Sequence, residues 1–191
     1  MANELKAVKV AFITSNEGIE EAELVEPWKA VEKAGGQPVL IAKETGQAQA
    51  FNHLDPAGKY PVDQTTKGAK AEDFDGLVLP GGVTNGDQVR TDPEAVRLVK
   101  EFTAAGKPIA VVCHGGWVLV EADLVRGRTM TSWPSLQTDI RNAGGTWVDQ
   151  ELQVCEQGPN LLISSRKPDD LPAFNSALVD TLAKVAAHSG S

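Results

Sequence analysis

Residues 109–117 read Ile109-Ala110-Val111-Val112-Cys113-His114-Gly115-Gly116-Trp117. The four apolar residues at the start are typical of a buried parallel strand. A histidine and two glycines interrupt this pattern, and helical spacing of apolar residues begins at Trp117. A strand, a sharp turn and a helix in this order predict an elbow, which strains the backbone at Cys113 and exposes the tip of its side chain.

Cys113 is the first candidate for chemistry. A cysteine that follows an apolar strand usually belongs to the core. Here the His-Gly-Gly sequence after it favours a catalytic role, because the end of a core strand needs neither an imidazole nor two glycines. The next helix would direct its N-terminal N–H groups and its positive dipole end at the sulfur, so we expect a thiolate nucleophile.

Length and charge limit the class of protein. The chain has 191 residues and a net charge of −8, which suits a single α/β domain over residues 1–191. No basic run is present to meet phosphates, so we expect no nucleic-acid partner. No apolar run approaches the roughly 18 residues of a membrane span, and residues 1–6 lack an apolar signal region. We therefore expect no membrane association and a cytoplasmic location.

Cysteine usage agrees with that location. The chain has two cysteines, Cys113 and Cys155, which fits a reducing compartment and predicts no structural disulfide. Cys155 is expected to lie half-buried next to a short strand. No Cys/His spacing resembles a metal site, so we expect neither a metal nor another cofactor.

The first forty residues predict a β-α-β unit. We expect a strand over residues 8–14, a turn over residues 15–19, a helix over about residues 20–34 and a strand over residues 38–42. The acidic start of the helix suits the helix dipole, and two glycines end it. This order implies a parallel sheet with a right-handed crossover.

The rest of the chain continues the alternation of strands and helices. We expect a hairpin of residues 48–51 and 60–62 with its turn at residues 55–58, a core strand over residues 75–79, and a helix capped by Asp92. Residues 83–90 are treated as a loop. Further helices are expected after Trp133-Pro134-Ser135, ending at Ala143, and after Leu171-Pro172, with short strands between them.

This alternation predicts a doubly wound open sheet. Ligands bind such sheets outside the carboxyl ends of the strands. The turn after Thr14, the Pro80-Gly81-Gly82 turn and the Cys113 elbow should therefore converge at one edge.

Ordered motifs over nearly the whole chain resemble the ThiJ/PfpI superfamily. They comprise Gly18-Ile19-Glu20-Glu21-Ala22-Glu23 with Pro27, residues 73–82 (Asp-Phe-Asp-Gly-Leu-Val-Leu-Pro-Gly-Gly), residues 110–115 (Ala-Val-Val-Cys-His-Gly), Gly127-Arg128-Thr129, Thr131-Ser132-Trp133-Pro134, residues 142–149 (Asn-Ala-Gly-Gly-Thr-Trp-Val-Asp), and Ser165-Arg166 before Pro168-Asp169-Asp170-Leu171. The set points to the PfpI-like branch, which contains intracellular cysteine peptidases, general stress proteins and protein deglycases.

The resemblance implies a fold and an assembly. The fold is a flavodoxin-like doubly wound parallel sheet between helices, of the kind shared with class I glutamine amidotransferases. The assembly is a homodimer or a larger ring such as a hexamer. The substrate is a small reactive carbonyl compound or a peptide, attacked by Cys113.

The resemblance also implies roles for other residues. Glu23 becomes a carboxyl group within reach of the Cys113 sulfur, with Glu20 as its rival in the same helical turn, and the spacing to Pro27 favours Glu23. His114 takes the place of the base. Asp87 takes the place of an acid that a neighbouring subunit supplies.

The chain departs from the family at two positions. Many relatives have proline where this chain has Gly116, and proline fixes the backbone at a helix start. Gly116 should therefore loosen the elbow without preventing the chemistry. Asp87 stands where the family has glutamate, so its reach toward His114 is shorter by one methylene.

Glycines near the elbow are candidates for binding. The backbone N–H groups of Gly82 and His114 are candidates to hold an oxyanion, and Gly81 and Gly115 leave room for a substrate close to the backbone. Trp133 is a candidate for the rim of the site.

Two functions follow from these residues, and a third is considered and rejected. The first is a stress-protective hydrolase, either a deglycase acting on carbonyl adducts such as methylglyoxal products or a PfpI-like peptidase. The second is an oxidative-stress sensor or chaperone in which a buried, protonated Glu23 stabilises oxidised Cys113. The third, a glutamine amidotransferase, is set aside, because the C-terminal part of the chain offers only His188 without an acid two residues on.

Overall fold

A computed structural model describes residues 3–190 of the chain. Met1, Ala2 and Ser191 lie outside the described residues, and so do the parts of the expectations that concern them. Residues 3–190 form twelve strands and six α-helices, with short 3-10 turns between some of them.

The central sheet has seven strands in the order β11-β12-β8-β7-β1-β3-β6. Its strands are β1 (Lys9–Ile13), β3 (Gln37–Ala42), β6 (Gln64–Thr65), β7 (Gly76–Leu79), β8 (Ile109–Val112), β11 (Gln153–Cys155) and β12 (Leu162–Ser165). All pairs are parallel except β11 with β12. The five main parallel strands follow the flavodoxin-like order, with the order reversing between β1 and β7, so the predicted doubly wound fold is confirmed.

Helices cover both faces of this sheet. They are α1 (Glu21–Lys33), α2 (Val83–Arg90), α3 (Pro93–Ala104), α4 (Gly116–Glu121), α5 (Gln137–Asn142) and α6 (Leu171–Ser189). One apolar core lies beneath α3, α4 and α5, and the other lies beneath α1 and α6. The predicted cap of α3 is confirmed, since the side chain of Asp92 accepts a hydrogen bond from the backbone N–H of Glu94 at 3.0 Å.

Two small sheets flank the central one. Strands β2 (Glu17–Glu20), β4 (Gln47–Asn52) and β5 (Asp55–Pro61) form the first, and β9 (Thr129–Met130) and β10 (Thr146–Trp147) form the second. The β4–β5 hairpin was predicted, but its turn lies at residues 53–54 instead of 55–58. His53 takes a left-handed conformation there, with φ of 57°.

Two other expectations were wrong. The turn predicted over residues 15–19 contains β2, because this segment pairs in parallel with the distant strand β4. The loop predicted over residues 83–90 is helix α2, whose buried Asn85 and Gly86 pack it onto the sheet edge. Over residues 3–190, no helix is long and apolar enough to cross a membrane.

Candidate active site

Three strand ends meet at the carboxyl edge of the sheet, as predicted. Strands β1, β7 and β8 are neighbours, so the turns that follow them lie side by side. Asn85 ties two of these turns together, because it accepts a hydrogen bond from the backbone N–H of Ser15 at 2.8 Å and donates one to the carbonyl of Pro80 at 2.9 Å. Sequence reasoning did not single out Asn85, although a polar side chain in an otherwise small-residue segment was a signal.

The elbow holds Cys113 in the conformation that the sequence predicted. The φ angle of Cys113 is 59°, in the left-handed region that residues with a side chain rarely adopt. A 3-10 turn, Cys113–Gly115, leads from β8 into α4. A Cβ on Gly81 would lie 2.7 Å from the Cβ of Cys113, and one on Gly115 would lie 2.6 Å from the carbonyl oxygen of Leu79. The two glycines are therefore required for the close approach of the turns.

His114 lies directly against the nucleophile. Its Nδ1 is 3.1 Å from the Cys113 Sγ. The ring stacks on Trp133 with centroids 5.7 Å apart and meets the edge of Trp117 at 5.2 Å. Burial lowers the pKa of His114 to about 4, so the imidazole is neutral at pH 7. Its Nδ1 accepts the thiol proton in the tautomer that carries the ring proton on Nε2.

Glu23 is the carboxyl group beside the sulfur. It is completely buried, and burial, followed by repulsion from Glu20, raises its pKa to about 8. The carboxyl faces the Cys113 thiol and the backbone N–H of Gly81, yet neither oxygen forms a hydrogen bond of good geometry within the described chain. The carboxyl of Glu20 is directed elsewhere, accepting from the backbone N–H of His53 at 3.1 Å.

The thiol itself differs from the expectation. Burial first, and the charge of the Glu23 carboxylate second, raise the pKa of Cys113. The backbone N–H groups of Gly82 and His114 act in the opposite direction and favour the thiolate. The prediction of a resting thiolate was therefore wrong, because it counted the backbone N–H groups and omitted desolvation. At neutral pH the Cys113 thiol and the Glu23 carboxyl both keep their protons, and neutral His114 lies beside the thiol as an acceptor.

These groups open into a cleft of about 500 Å³. Trp133 lies at its rim with 37% of its surface exposed, as predicted. The wall also includes residues that sequence reasoning missed, from the hairpin tip, the start of α2 and the turn before α6: Phe51, His53, Leu54, Val83, Thr84 and Pro168. Strand β4 of the hairpin pairs with β2, and this pairing brings the hairpin tip over the site. The tip could have been recognised as part of the cleft only from that long-range pairing.

Asp87 is not part of this cleft in the single chain. It lies exposed on α2 and is absent from the described residues that line the cleft. Its predicted role depends on a neighbouring subunit. Within residues 3–190, no group of three or more His, Cys, Asp or Glu side chains could hold a metal ion.

The fold and the site together define the class of protein. It is a doubly wound α/β protein with a cysteine at a strand-to-helix elbow. The sequence profile of the DJ-1/PfpI family matches residues 8–181. The chain belongs to the DJ-1/PfpI family, which confirms the resemblance drawn from its motifs.

Two curated relatives and one solved structure illustrate the relationship. General stress protein 18 of Bacillus subtilis is 36% identical over 165 residues, 86% of this chain and 92% of the relative. Protein/nucleic acid deglycase 2 of Escherichia coli is 34% identical over 167 residues, 87% of this chain and 93% of the relative. The structure is a two-domain protein of Anabaena variabilis with DJ-1/ThiJ/PfpI-like and ferritin-like domains, at a TM-score of 0.84 and 34% identity. The match covers 92% of this chain but 48% of that protein.

Proposed function

We propose that this protein is a stress-related hydrolase that acts on reactive carbonyl adducts, with Cys113 as nucleophile and His114 as base. The observation that carries the proposal is the 3.1 Å contact between the Cys113 Sγ and the His114 Nδ1. A nucleophile and a base within hydrogen-bond reach are the signature of covalent catalysis. The deglycase name of the Escherichia coli relative supports carbonyl adducts ahead of peptide bonds as the substrate.

The first step is the same for aldehydes, amides and thioesters. The thiol proton passes to Nδ1 of neutral His114 while the sulfur bonds to the carbonyl carbon. The π pair of the carbonyl moves onto oxygen, where the backbone N–H groups of Gly82 and His114 would hold it. The imidazolium then returns its proton to the oxygen or to a leaving amine. Glu23 remains protonated below pH about 8 and adds no negative charge beside the oxyanion.

The lining of the cleft favours substrates without negative charge. Glu17 and Glu20 stand at its mouth, and none of the described lining residues is lysine or arginine. An anionic carbonyl compound would meet these carboxylates on entry, whereas a neutral dicarbonyl or a modified lysine or arginine side chain would not. The apolar walls from Phe51, Leu54 and Val83 suit an adduct carried on a peptide.

Three assays of the wild-type protein, with Cys113→Ser as the blank, test the proposal. They measure consumption of methylglyoxal, release of free amine from a methylglyoxal-treated peptide, and cleavage of the unmodified peptide. We expect the first two to exceed the blank. Cleavage of the unmodified peptide alone would establish the PfpI-like peptidase instead, and activity equal to the blank in all three would refute a hydrolase.

A redox sensor at Cys113 is the second candidate function. The observation that favours it is Glu23, a buried carboxyl whose pKa of about 8 keeps a proton available to an oxidised sulfur. Peptide mass spectrometry after mild peroxide treatment tests it, with Glu23→Gln beside the wild type. Faster oxidation of Cys113 than of Cys155, and loss of the stabilised product in Glu23→Gln, would support the sensor. A Cys113 no more oxidisable than Cys155 would exclude it.

We also propose that the chain acts as a homo-oligomer, a dimer or hexamer, in which Asp87 of a neighbouring copy completes the site. The exposed apolar side chains at the mouth, Leu54 at 91% and Val83 at 58% exposure, support a covered surface there. Light scattering should give a multiple of the 20.3 kDa chain, and Asp87→Ala should reduce turnover. A fully active monomer would refute this assembly.

A further inference from the structure

The side chain of Asn85 is a buried polar group that the proposed chemistry does not use. It is 1% exposed and is absent from the described residues that line the Cys113 cleft. Its Oδ1 accepts from the backbone N–H of Ser15 at 2.8 Å, and its Nδ2 donates to the carbonyl of Pro80 at 2.9 Å. These partners fix the orientation of the amide, because a flipped amide would face a donor with its donor and an acceptor with its acceptor.

The Pro80-Gly81-Gly82 turn is held from outside at each of its three carbonyls. Asn85 donates to the first, the backbone N–H of Glu20 donates to the second at 3.2 Å, and the backbone N–H of Gly86 donates to the third at 2.9 Å. Asn85 is the one side chain among these three donors. A substitution at Asn85 therefore removes a contact that the backbone of the turn cannot replace by itself.

These carbonyl contacts decide where the N–H groups of the turn are directed. In a trans peptide the N–H is directed opposite to the carbonyl of the same plane. With its carbonyls directed to α2 and β2, the turn faces the Glu23 carboxyl with the N–H of Gly81 and the Cys113 sulfur with the N–H of Gly82. A Cβ on Gly81 would clash with a carboxyl oxygen of Glu23 and lie 2.7 Å from the Cβ of Cys113. The turn is therefore in contact with both groups.

Helix α2, which carries Asn85, also lies against the elbow. A Cβ on Gly86 would lie 2.5 Å from the carbonyl oxygen of His114. The helix thus contacts both backbone donors proposed for the oxyanion, Gly82 at its start and His114 at the elbow. Such donors act by being aligned before the reaction, and a misplacement of about 1 Å can cost about a hundredfold in rate.

We propose that Asn85 is a positioning residue for the attack on carbonyl groups. Its amide holds the Pro80 carbonyl and so directs the N–H of Gly81, and with it the N–H of Gly82 in the next peptide plane, at the reacting groups. The inference rests on the proposed carbonyl chemistry at Cys113. Without the amide the Pro80–Gly81 peptide is free to rotate, and the oxyanion loses a donor that was aligned in advance.

The step concerned is the addition of the thiol to the carbonyl group. The sulfur bonds to the carbonyl carbon, the π pair moves onto oxygen, and the oxygen takes the proton that the thiol releases. An aldehyde gives a hemithioacetal in this way, with no leaving group and no change of oxidation state. Addition to an aldehyde therefore reports the alignment of the oxyanion donors without requiring hydrolysis.

Two reactions of Cys113 separate positioning from general support of the fold. The first is addition to N-acetylglycinal labelled with carbon-13 at the aldehyde carbon, whose NMR signal gives the affinity, with Cys113→Ser as the blank. The second is alkylation by iodoacetamide, which displaces iodide and creates no oxyanion. Cys155 is 3% exposed, more buried than expected, and the Cys155→Ser background removes it from the alkylation assay.

Asn85→Ala should weaken the affinity for the aldehyde at least about tenfold, since complete loss of one oxyanion donor costs about 10²–10³ in rate. The rate of alkylation should fall much less, because that reaction needs no oxyanion donor. Asn85→Ser, whose shorter side chain does not reach the Pro80 carbonyl, should behave in the same way and decides the question if Asn85→Ala does not fold.

The matched control is Asn16→Ala. Asn16 forms the same pair of backbone hydrogen bonds, accepting from the N–H of Glu44 and donating to its carbonyl, each at 2.9 Å. It is absent from the described residues that line the cleft. Asn16→Ala should therefore match the wild type in both reactions.

Equal losses of aldehyde affinity and alkylation rate in the Asn85 variants, or wild-type affinity in the folded variants, overturn the positioning role. The hydrolase is judged on the wild type alone. A wild-type protein that forms the hemithioacetal but turns over neither methylglyoxal nor its adducts refutes the hydrolase, and the Asn85 comparison still decides the positioning role. A wild-type protein that forms no hemithioacetal overturns both.

Discussion

Replacing Glu23 with glutamine should remove most of a pH dependence that the wild-type fold carries. The pKa of Glu23 is raised from 4.5 to about 8, chiefly by burial. Between these values the unfolded chain has released the proton and the folded chain keeps it. The unfolded state then binds fewer protons, so the free energy of unfolding falls as pH rises. The contribution of the protonated Glu23 carboxyl to the free energy of unfolding is fully present below pH 4.5 and is lost by pH about 8.

The magnitude follows from the two pKa values of Glu23. At about 1.4 kcal/mol for each pKa unit, the full loss is about 5 kcal/mol, of which about 3 to 4 kcal/mol falls between pH 5 and pH 8. Total stabilities of domains are about 5–15 kcal/mol, so the effect should be plain. Glutamine keeps the shape but cannot ionise. Its unpartnered amide should cost about 1–3 kcal/mol at every pH.

Urea unfolding at pH 5, 6.5 and 8 measures this difference at one fixed protein concentration, since an oligomer's stability depends on concentration. The control is Glu26→Gln, which removes an exposed carboxyl from the same helix. We expect the difference in free energy of unfolding between Glu23→Gln and wild type to shift by several kcal/mol in favour of the variant from pH 5 to pH 8. The free energy of unfolding of Glu26→Gln should change with pH as that of the wild type does. Parallel curves for Glu23→Gln and wild type would refute the buried, protonated carboxyl.

Three further predictions concern the elbow and the cleft. Gly116→Ala should raise the melting temperature by about 1 to 4 °C, because the φ of −59° at Gly116 suits alanine and the new Cβ would meet only side chains, at 3.4 Å or more. Gly115→Ala should lower the melting temperature, because its Cβ would meet a backbone oxygen. Calorimetry measures both variants, and the reverse order of their melting temperatures would contradict this prediction. Since burial lowers the pKa of His114 to about 4, the acid limb of kcat/KM that reports this base should fall near pH 4; a limb near 6.5 would count against a buried base. Glu17→Gln with Glu20→Gln should improve kcat/KM for an anionic aldehyde relative to methylglyoxal by about two- to fivefold per charge; an unchanged ratio would mean that the carboxylates do not select substrates.

The elbow could be predicted because its signals are local. Apolar residues, a cysteine and glycines follow one another without a gap, and the left-handed backbone at Cys113 follows from that order. The choice of Glu23 over Glu20 came from the resemblance, through the spacing to Pro27 in the family's motif. The burial of Glu23 did not follow from spacing along its helix, since burial depends on the turns of β7 and β8 that close over it.

The hairpin shows how local signals mislead. Asp55-Pro56-Ala57-Gly58 has the composition of a turn, yet these residues belong to β5. Strand β5 is the outer strand of its sheet, and an edge strand tolerates proline because one side of it needs no ladder hydrogen bonds. The turn lies instead at His53 and Leu54, which places these two residues beside the cleft.

Two other features required contacts between distant segments. Helix α2 has a weak local pattern, and the hydrogen bonds of Asn85 to Ser15 and Pro80 fix its position. The protonation of Cys113 depends on desolvation and on Glu23, neither of which appears in the order of residues along its own strand.

The central claim is that Cys113, and not Cys155, performs the attack on the substrate. The most direct measurement is kcat/KM for methylglyoxal, or for the methylglyoxal-treated peptide if that is the better substrate, in Cys113→Ser beside Cys155→Ser. The account predicts at least about a hundredfold loss in Cys113→Ser and wild-type turnover in Cys155→Ser. Equal turnover in Cys113→Ser and wild type would contradict it and remove Cys113 from the chemistry.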